Sequence, residues 1–374
     1  MKRKRTSNKS SRTLYGMPSF SRTKAWVTAT KKRRILLWIS VFLAFWLSVN
    51  YSVAQWYRFK HRNETMVFGA TFIPNYAKSY GLDPKETLNA MLKDLGLRQI
   101  RLVSYWKDIE KEQGTYNFSE LDWQFDMVER YGGRVSLAIG LRQPRWPECH
   151  EPDWAKRMTM EQWYPHLESF MGAVIERYKD RPSLVSYQLE NEFFMSVFGI
   201  CPDFSRERLV KEFEFVKSKD PDTPVIVSRS NNWIGIPYRA PRADTNAISI
   251  YKRVWDSGVT KRYYEYPLPA WFYAMLAGWS ELLTGRNMVI HELQAESWLP
   301  PGYSMKTAPT EELHKSLDAD RLRHRFGYAE GTGMKEVYLW GVEWWYYQKE
   351  KRSDPELWNT AKEELTKRSY SVGN

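Results

Sequence analysis

From Met66 onward, short apolar runs rich in β-branched residues alternate with longer stretches whose apolar positions recur every three or four residues. Eight such runs stand out, at residues 66–72 (MVFGATF), 99–104, 135–140, 184–190, 225–228, 247–250, 288–291 and 336–340. Most are apolar throughout, the signature of strands covered on both faces in a parallel sheet. Between them, Leu88, Met91, Leu92 and Leu95 fall at i, i+3, i+4 and i+7, and Leu209, Phe213 and Val216 mark another helix. Thr159 and Gln162 form a capping-box pattern ahead of a third. Eight strands alternating with helices across residues 66–374 predict an α/β fold, a (β/α)8 TIM barrel. A doubly wound open sheet is the alternative, but no Gly-x-Gly-x-x-Gly follows the first run, which counts against a dinucleotide site there.

The first 65 residues follow another pattern. Ile35 to Trp56 contains no charged residue and is apolar on all sides, long enough for a single transmembrane helix. Lys31-Lys32-Arg33-Arg34 precede it, so the positive-inside rule puts the N-terminus in the cytoplasm and everything after about Tyr57 across the membrane. The expected organisation is a basic cytoplasmic tail (1–34), an anchor (35–56), a linker (57–65) and an extracytoplasmic barrel (66–374). Ser52-Val53-Ala54 has the small-x-small look of a signal-peptidase site, but the preceding basic region is long for a cleaved signal, and an uncleaved anchor is favoured.

Charge changes meaning once it is located. The formal net charge is +12, yet residues 1–34 carry twelve Lys/Arg and no acid, leaving 44 basic against 44 acidic residues in the rest. A neutral body offers no phosphate-neutralising surface, so nucleic acid is not an expected partner. Two cysteines, Cys149 and Cys201, follow the third and fourth runs; in an oxidising compartment they can bridge, or remain two thiols. Six histidines without paired spacing, and His291-Glu292 without the second His of a zinc helix, argue against a metal. Asn63-Glu64-Thr65 and Asn117-Phe118-Ser119 fit the glycosylation sequon.

A TIM barrel builds its site at the carboxyl ends of its strands, and two of these ends carry glutamates. The fourth run finishes Gln188-Leu189-Glu190-Asn191-Glu192 and the seventh Val289-Ile290-His291-Glu292. Strands four and seven lie on opposite sides of an eight-stranded ring, so their tips converge over its centre. Two facing carboxyls suit glycoside hydrolysis: one must be neutral to protonate the leaving oxygen, the other ionised to attack or assist at the anomeric carbon. Repulsion between close carboxylates, with desolvation, splits their pKa values in that sense.

The Asn191-Glu192 pair, Val289-Ile290-His291-Glu292, Ile100-Arg101-Leu102 and the continuation Trp106, Ile109-Glu110, Gly114, Tyr116 resemble, in this order, the hallmarks of clan A of the glycoside hydrolases. The motifs are nearest to family 5, 35 and 42 type enzymes. The resemblance implies a retaining double displacement without cofactor or metal, on a carbohydrate substrate. It implies Glu192 as acid/base, Glu292 as nucleophile, Asn191 as donor to the sugar 2-hydroxyl and Arg101 as the cation that keeps Glu292 ionised. It further implies Tyr251 as the tyrosine orienting the nucleophile and Trp340, with Trp344 as substitute, as the platform beneath the sugar. The strand-three exit, Arg142 to Glu148 with Trp146 in it, and Asn231-Asn232-Trp233 after strand five are expected to add polar and aromatic contacts, as is Trp298. Glu190 and Glu296 are rivals of Glu192 and Glu292, and Arg101 is open to a purely structural reading. Phe193-Phe194 stands where families 35 and 42 continue Tyr-Gly, so the resemblance reaches the clan rather than a galactoside specificity. A catalytically silent carbohydrate-binding barrel and a transglycosylase using the same residues are the competing functions; nothing in the sequence bears on oligomeric state.

Overall fold

The computed structural model describes residues 31–230 and 239–370. The chain divides into two compact units, residues 1–52 and 53–374. Among the described residues of the second, ten strands form in chain order: β1 Val67–Thr71, β2 Gln99–Val103, β3 Arg134–Ile139, β4 Leu184–Leu189, β5 Val225–Ser230, β6 Thr245–Ile250, β7 Arg253–Asp256, β8 Arg262–Glu265, β9 Met288–Gln294 and β10 Glu336–Trp340. Eight of them close into a parallel barrel in the ring order β1-β2-β3-β4-β5-β6-β9-β10, with β10 returning to β1. These are the eight apolar runs. β7 and β8 form a separate antiparallel hairpin between β6 and β9 that the apolar pattern does not announce, because its residues are half-exposed.

The barrel strands read as uniformly apolar because both faces are covered: β2 and β9 are buried along their whole length. Gly69 marks the tightest approach, since a Cβ there would lie 2.3 Å from the Gln99 carbonyl of β2. The helix Pro84–Lys93 buries Leu88, Met91 and Leu92 and starts at Asp83, whose carboxylate accepts from the backbone of Lys85 and Glu86. In the helix Met160–Tyr178, the Gln162 side-chain carbonyl accepts from the Thr159 N–H at 2.8 Å, as the capping-box pattern requires.

Strand β9 departs from regularity where it matters. Its pairing with β6 steps from Ile248↔Ile290 to Ser249↔Glu292, and with β10 from Val337↔Ile290 to Leu339↔Leu293. One extra residue on β9 is thus accommodated against both neighbours. Ile290 and Leu293 pack in the main core while Val289 joins a small separate cluster with Ile226 and Ala247. Strict alternation from Val289 would send Glu292 to the Ile290 side; the bulge turns it back, a known use of bulges beside functional sites.

Lys31–Lys60 is one helix, long and apolar enough to cross a membrane. The stretch Tyr57 to Thr65, expected as a linker, is helical as far as Lys60, and its Tyr57 and His61 are buried in the barrel unit. The Tyr57 hydroxyl donates to Asn287 Oδ1 at 2.8 Å, so the ring is buried without leaving its polar end unpaired. His61 lies 2.6 Å from Glu64 and 2.8 Å from Glu281.

Candidate active site

The strand-two motif is a local clamp. The Glu110 carboxylate accepts from Trp106 Nε1 at 2.5 Å and from the Gly114 N–H at 2.7 Å, closing the loop after β2. This frees the strand itself to present Arg101, which is wholly buried and donates to Glu292 Oε1 at 2.7 Å, to Thr71 Oγ1 at 2.9 Å and to Gln188 Oε1 at 3.3 Å.

At the end of β4 the backbone turns through two left-handed residues, Glu190 (φ +52°) and Glu192 (φ +44°). The turn is fixed by Asn191 N donating to the Arg142 carbonyl at 2.7 Å and Glu192 N donating to Ser228 Oγ at 2.9 Å. It separates the two glutamates. Glu190 faces inward to the protein, accepting from the backbone of Leu141 (2.6 Å) and Arg142 (3.1 Å) and from Arg208 (3.1 Å). Glu192 lines an open cleft of about 730 Å³, and its Oε1 has no hydrogen-bond partner among the described residues.

Glu292 lines the same cleft. Besides Arg101, it accepts from the hydroxyl of Tyr251, which sits just beyond β6. Burial, and next the charge of Glu292, push the Glu192 carboxyl up to about 8. Burial and the same carboxylate hold the Tyr251 phenol well above its usual range, so it remains a donor. The pair therefore has the asymmetry that acid catalysis beside a nucleophile demands: a carboxyl that keeps its proton facing one supported by a guanidinium and a phenol.

Glu296 also reaches the cleft, but its oxygens are occupied by Arg145 (2.9 and 3.1 Å), the Tyr76 hydroxyl (2.7 Å) and Trp340 Nε1 (3.0 Å). Arg145 is sandwiched between the rings of Tyr76, 3.4 Å away, and Trp340, 4.2 Å away. Trp340 closes β10 and lines the cleft with Asn191, Trp146 and Trp298; Trp146 is 58% exposed and meets Phe198 edge-on at its rim. Trp344 is not among these residues. It is fully buried in the main core, because it falls inside the helix Val342–Arg352 on the side packed against the barrel. Asn232 lies outside the described residues.

Cys149 and Cys201 are joined in a disulfide, linking the loop after β3 to the loop after β4. Arg145 and Glu148 line the cleft from the β3 exit, where polar contacts were expected, whereas Met195, Phe198, Ser230, Val254 and Tyr266 line it without having been singled out. The first two lie in a polar stretch, Arg142 to Glu148, whose composition marked it, but no spacing rule selects among its members. Tyr266 had no signal.

With this geometry in place, the chain can be compared with known proteins. Residues 83–209 match the model of the glycoside hydrolase family 42 β-galactosidases. The β-galactosidase BgaH of Haloferax lucentense is 23% identical over 146 residues, a stretch covering 34% of this chain and 22% of that protein. Among solved structures, xylanase 10B from Thermotoga maritima superposes with a TM-score of 0.55 at 16% identity, covering 83% of this chain and 98% of that one. An exo-β-1,4-mannosidase from Opitutaceae bacterium strain TAV5 gives 0.54 at 14% identity, covering 82% and 60%. The chain thus spans about a fifth of the length of the curated relative it matches, and the structural likenesses speak for the barrel alone. The likeness in sequence to the glycoside hydrolase family 42 β-galactosidases thus lies in residues 83–209, and the barrel as a whole shares its fold with these glycosidases.

Proposed function

We propose that the chain is a retaining glycosidase acting on O-linked β-glycosides outside the cytoplasm. The observation that carries the reading is the pairing of Glu192 and Glu292 across one cleft, with Arg101 and Tyr251 both on Glu292 and an open oxygen on Glu192. In this mechanism Glu292 attacks the anomeric carbon while Glu192 gives its proton to the departing glycosidic oxygen, leaving a glycosyl ester on Glu292. Glu192, now a carboxylate, takes a proton from water as that water attacks the same carbon and frees Glu292. Arg101 and Tyr251 stabilise the Glu292 carboxylate as it leaves, and Trp340 offers an indole face to the apolar side of the sugar ring.

The β-configuration is drawn from the β-galactosidase family match. Labelling with a panel of 2-deoxy-2-fluoro β-glycosides followed by peptide mapping tests the scheme. A covalent adduct on Glu292 is expected; an adduct on Glu296, or none with any sugar, overturns it. For location, the apolar helix behind the Lys31-Lys32-Arg33-Arg34 flank supports a single span with the N-terminus inside. Protease added to intact cells is then expected to digest the barrel and spare the tail, and the reverse pattern defeats that topology.

A further inference from the structure

The scheme above uses two of the four carboxyls that line the cleft; Glu296 is filled by Arg145, Tyr76 and Trp340, which leaves Glu148. Glu148 is 3% exposed and lines the cavity with Glu192 and Glu292. Much of the surrounding structure serves to hold it. Its backbone is left-handed (φ +74°), a conformation that costs a glutamate energy and persists only where neighbours enforce it. The next residue is Cys149 of the disulfide, and the loop is further fixed by Ile200 N donating to the Pro147 carbonyl at 2.9 Å and Arg142 Nη1 donating to the Phe198 carbonyl at 2.9 Å. Gly199 leaves it room, for a Cβ there would fall 2.8 Å from the Glu148 Cβ.

The carboxylate is nonetheless under-supplied with donors. Asn191 Nδ2 donates to Oε2 at 3.1 Å, and Arg142 Nη2 stands off at 3.7 Å. Among the described residues, Oε1 accepts no hydrogen bond. A buried carboxylate with an unfilled oxygen in a sugar-sized cleft is an acceptor for a hydroxyl. Asn191, which the motif resemblance places on the sugar 2-hydroxyl, donates to Glu148, so that hydroxyl is the one taken to be within reach of Oε1.

We propose that Glu148 is a substrate-binding residue that accepts a hydrogen bond from the sugar 2-hydroxyl while fixing the Asn191 amide, so that the cleft selects glycosides with a free 2-hydroxyl. This rests on the glycosidase reading. The charged groups facing Glu148 are Arg142 and Arg145 from its own loop, Glu192 beyond β4 and Glu292 on β9. Burial pushes its carboxyl up to about 7, against the pull of Arg142. It therefore accepts best above that pH.

The test compares wild type and Glu148→Gln on the 4-nitrophenyl β-glycoside that wild type turns over fastest and on its 2-deoxy analogue. The variant keeps the size of the side chain and an oxygen for Asn191. Its kcat/KM is expected to fall about 10- to 100-fold on the parent glycoside, the range for a hydrogen bond to a charged group, and less than about twofold on the analogue. The step near pH 7 in the acid limb of kcat/KM disappears in the variant. An equal penalty on both substrates, or none, in a folded variant with its disulfide intact overturns the proposal. Where Glu148→Gln does not fold, Gly199→Ala carries the test, since it displaces the carboxylate and keeps its charge; the same substrate selectivity of its defect is required. A wild type silent on every glycoside overturns the glycosidase reading itself, a result distinct from an active wild type with an indifferent variant.

Discussion

The ends of β4 and β9 each carry two glutamates, and the protein treats the members of each pair differently. On β4 the earlier one, Glu190, is saturated by two backbone N–H groups and Arg208, while the later one, Glu192, is left with a bare oxygen in the cleft. On β9 the order is reversed: the earlier Glu292 meets Glu192 across the cleft with one guanidinium and one phenol behind it, and the later Glu296 is filled by Arg145, Tyr76 and Trp340. Position in sequence does not separate a reacting carboxyl from a structural one. What separates them is how many donors the protein itself supplies: Glu190 and Glu296 each take four, whereas Glu292 takes one on each oxygen and keeps lone pairs for a substrate.

That contrast can be broken most directly on β9. Glu292→Gln is expected to lose at least about three orders of magnitude in kcat, since the covalent path disappears. Glu296→Gln loosens Arg145 and Trp340 and is expected to cost about 10- to 100-fold. Steady-state rates that reverse this order would exchange the two roles.

On β4, Glu192→Gln is expected to slow glycosides of poor leaving groups by about 10²- to 10⁴-fold, the usual yield of general acid catalysis. With a 2,4-dinitrophenyl leaving group, which needs no proton, the burst of phenolate should stay near wild type and only the deglycosylation step should slow. A uniform loss over all leaving groups would deny Glu192 the acid role.

Glu190→Ala tests the structural half of the pair. Removing Glu190 from its buried cluster leaves Arg208 paired with Glu212 and Asp203 but takes the acceptor away from the Leu141 and Arg142 N–H groups, at a cost of about 1–3 kcal/mol in stability. Denaturant unfolding should register it, with kcat per folded molecule changed less than the Glu192→Gln variant changes it.

The smallest effect is in pH. Glu192 must be protonated to act, and its carboxyl stands at about 8, so kcat/KM should fall as pH rises through that value. The Glu292 charge is the second cause of the rise after burial, so in Glu292→Gln the Glu192 carboxyl should titrate lower, as a carbon-13 NMR titration of labelled glutamate would detect. An unchanged or higher value would mean that the two groups do not face each other electrostatically.

How much of this was legible beforehand follows from which interactions are local. The eight barrel strands could be read from runs of apolar residues, because a strand buried on both faces must be apolar at every position. Glu192 stood out because the Asn191-Glu192 pair lies directly past the fourth apolar run, although the partners that fix its turn, the Arg142 carbonyl and Ser228, are distant in sequence. Arg101 came from the likeness of Ile100-Arg101-Leu102 to the arginine strand of clan A, and its burial within Gln99–Val103 requires the partners that the structure supplies. Tyr251, directly past the sixth apolar run, likewise came from the resemblance.

The remainder was decided in three dimensions. Whether Glu292 faces the cleft depends on the β9 bulge, which is set by pairing with β6 and β10 and leaves no mark in β9 itself. The fate of Glu296 depends on Tyr76 and Arg145, which are 220 and 151 residues away. Trp344 and Trp340 look alike in sequence, but one ends a strand at the cleft and the other lies on the packed side of the next helix. Glu148 owes its place to a disulfide partner 52 residues on and to a glycine at 199. By itself, then, the sequence determined the barrel, the apolar N-terminal helix and the strand ends where chemistry can occur, because backbone burial and short-range turns are written in neighbouring residues. Only the tertiary structure decided which carboxyls at those ends remain open to a substrate, because the donors that fill or spare them come from distant parts of the chain.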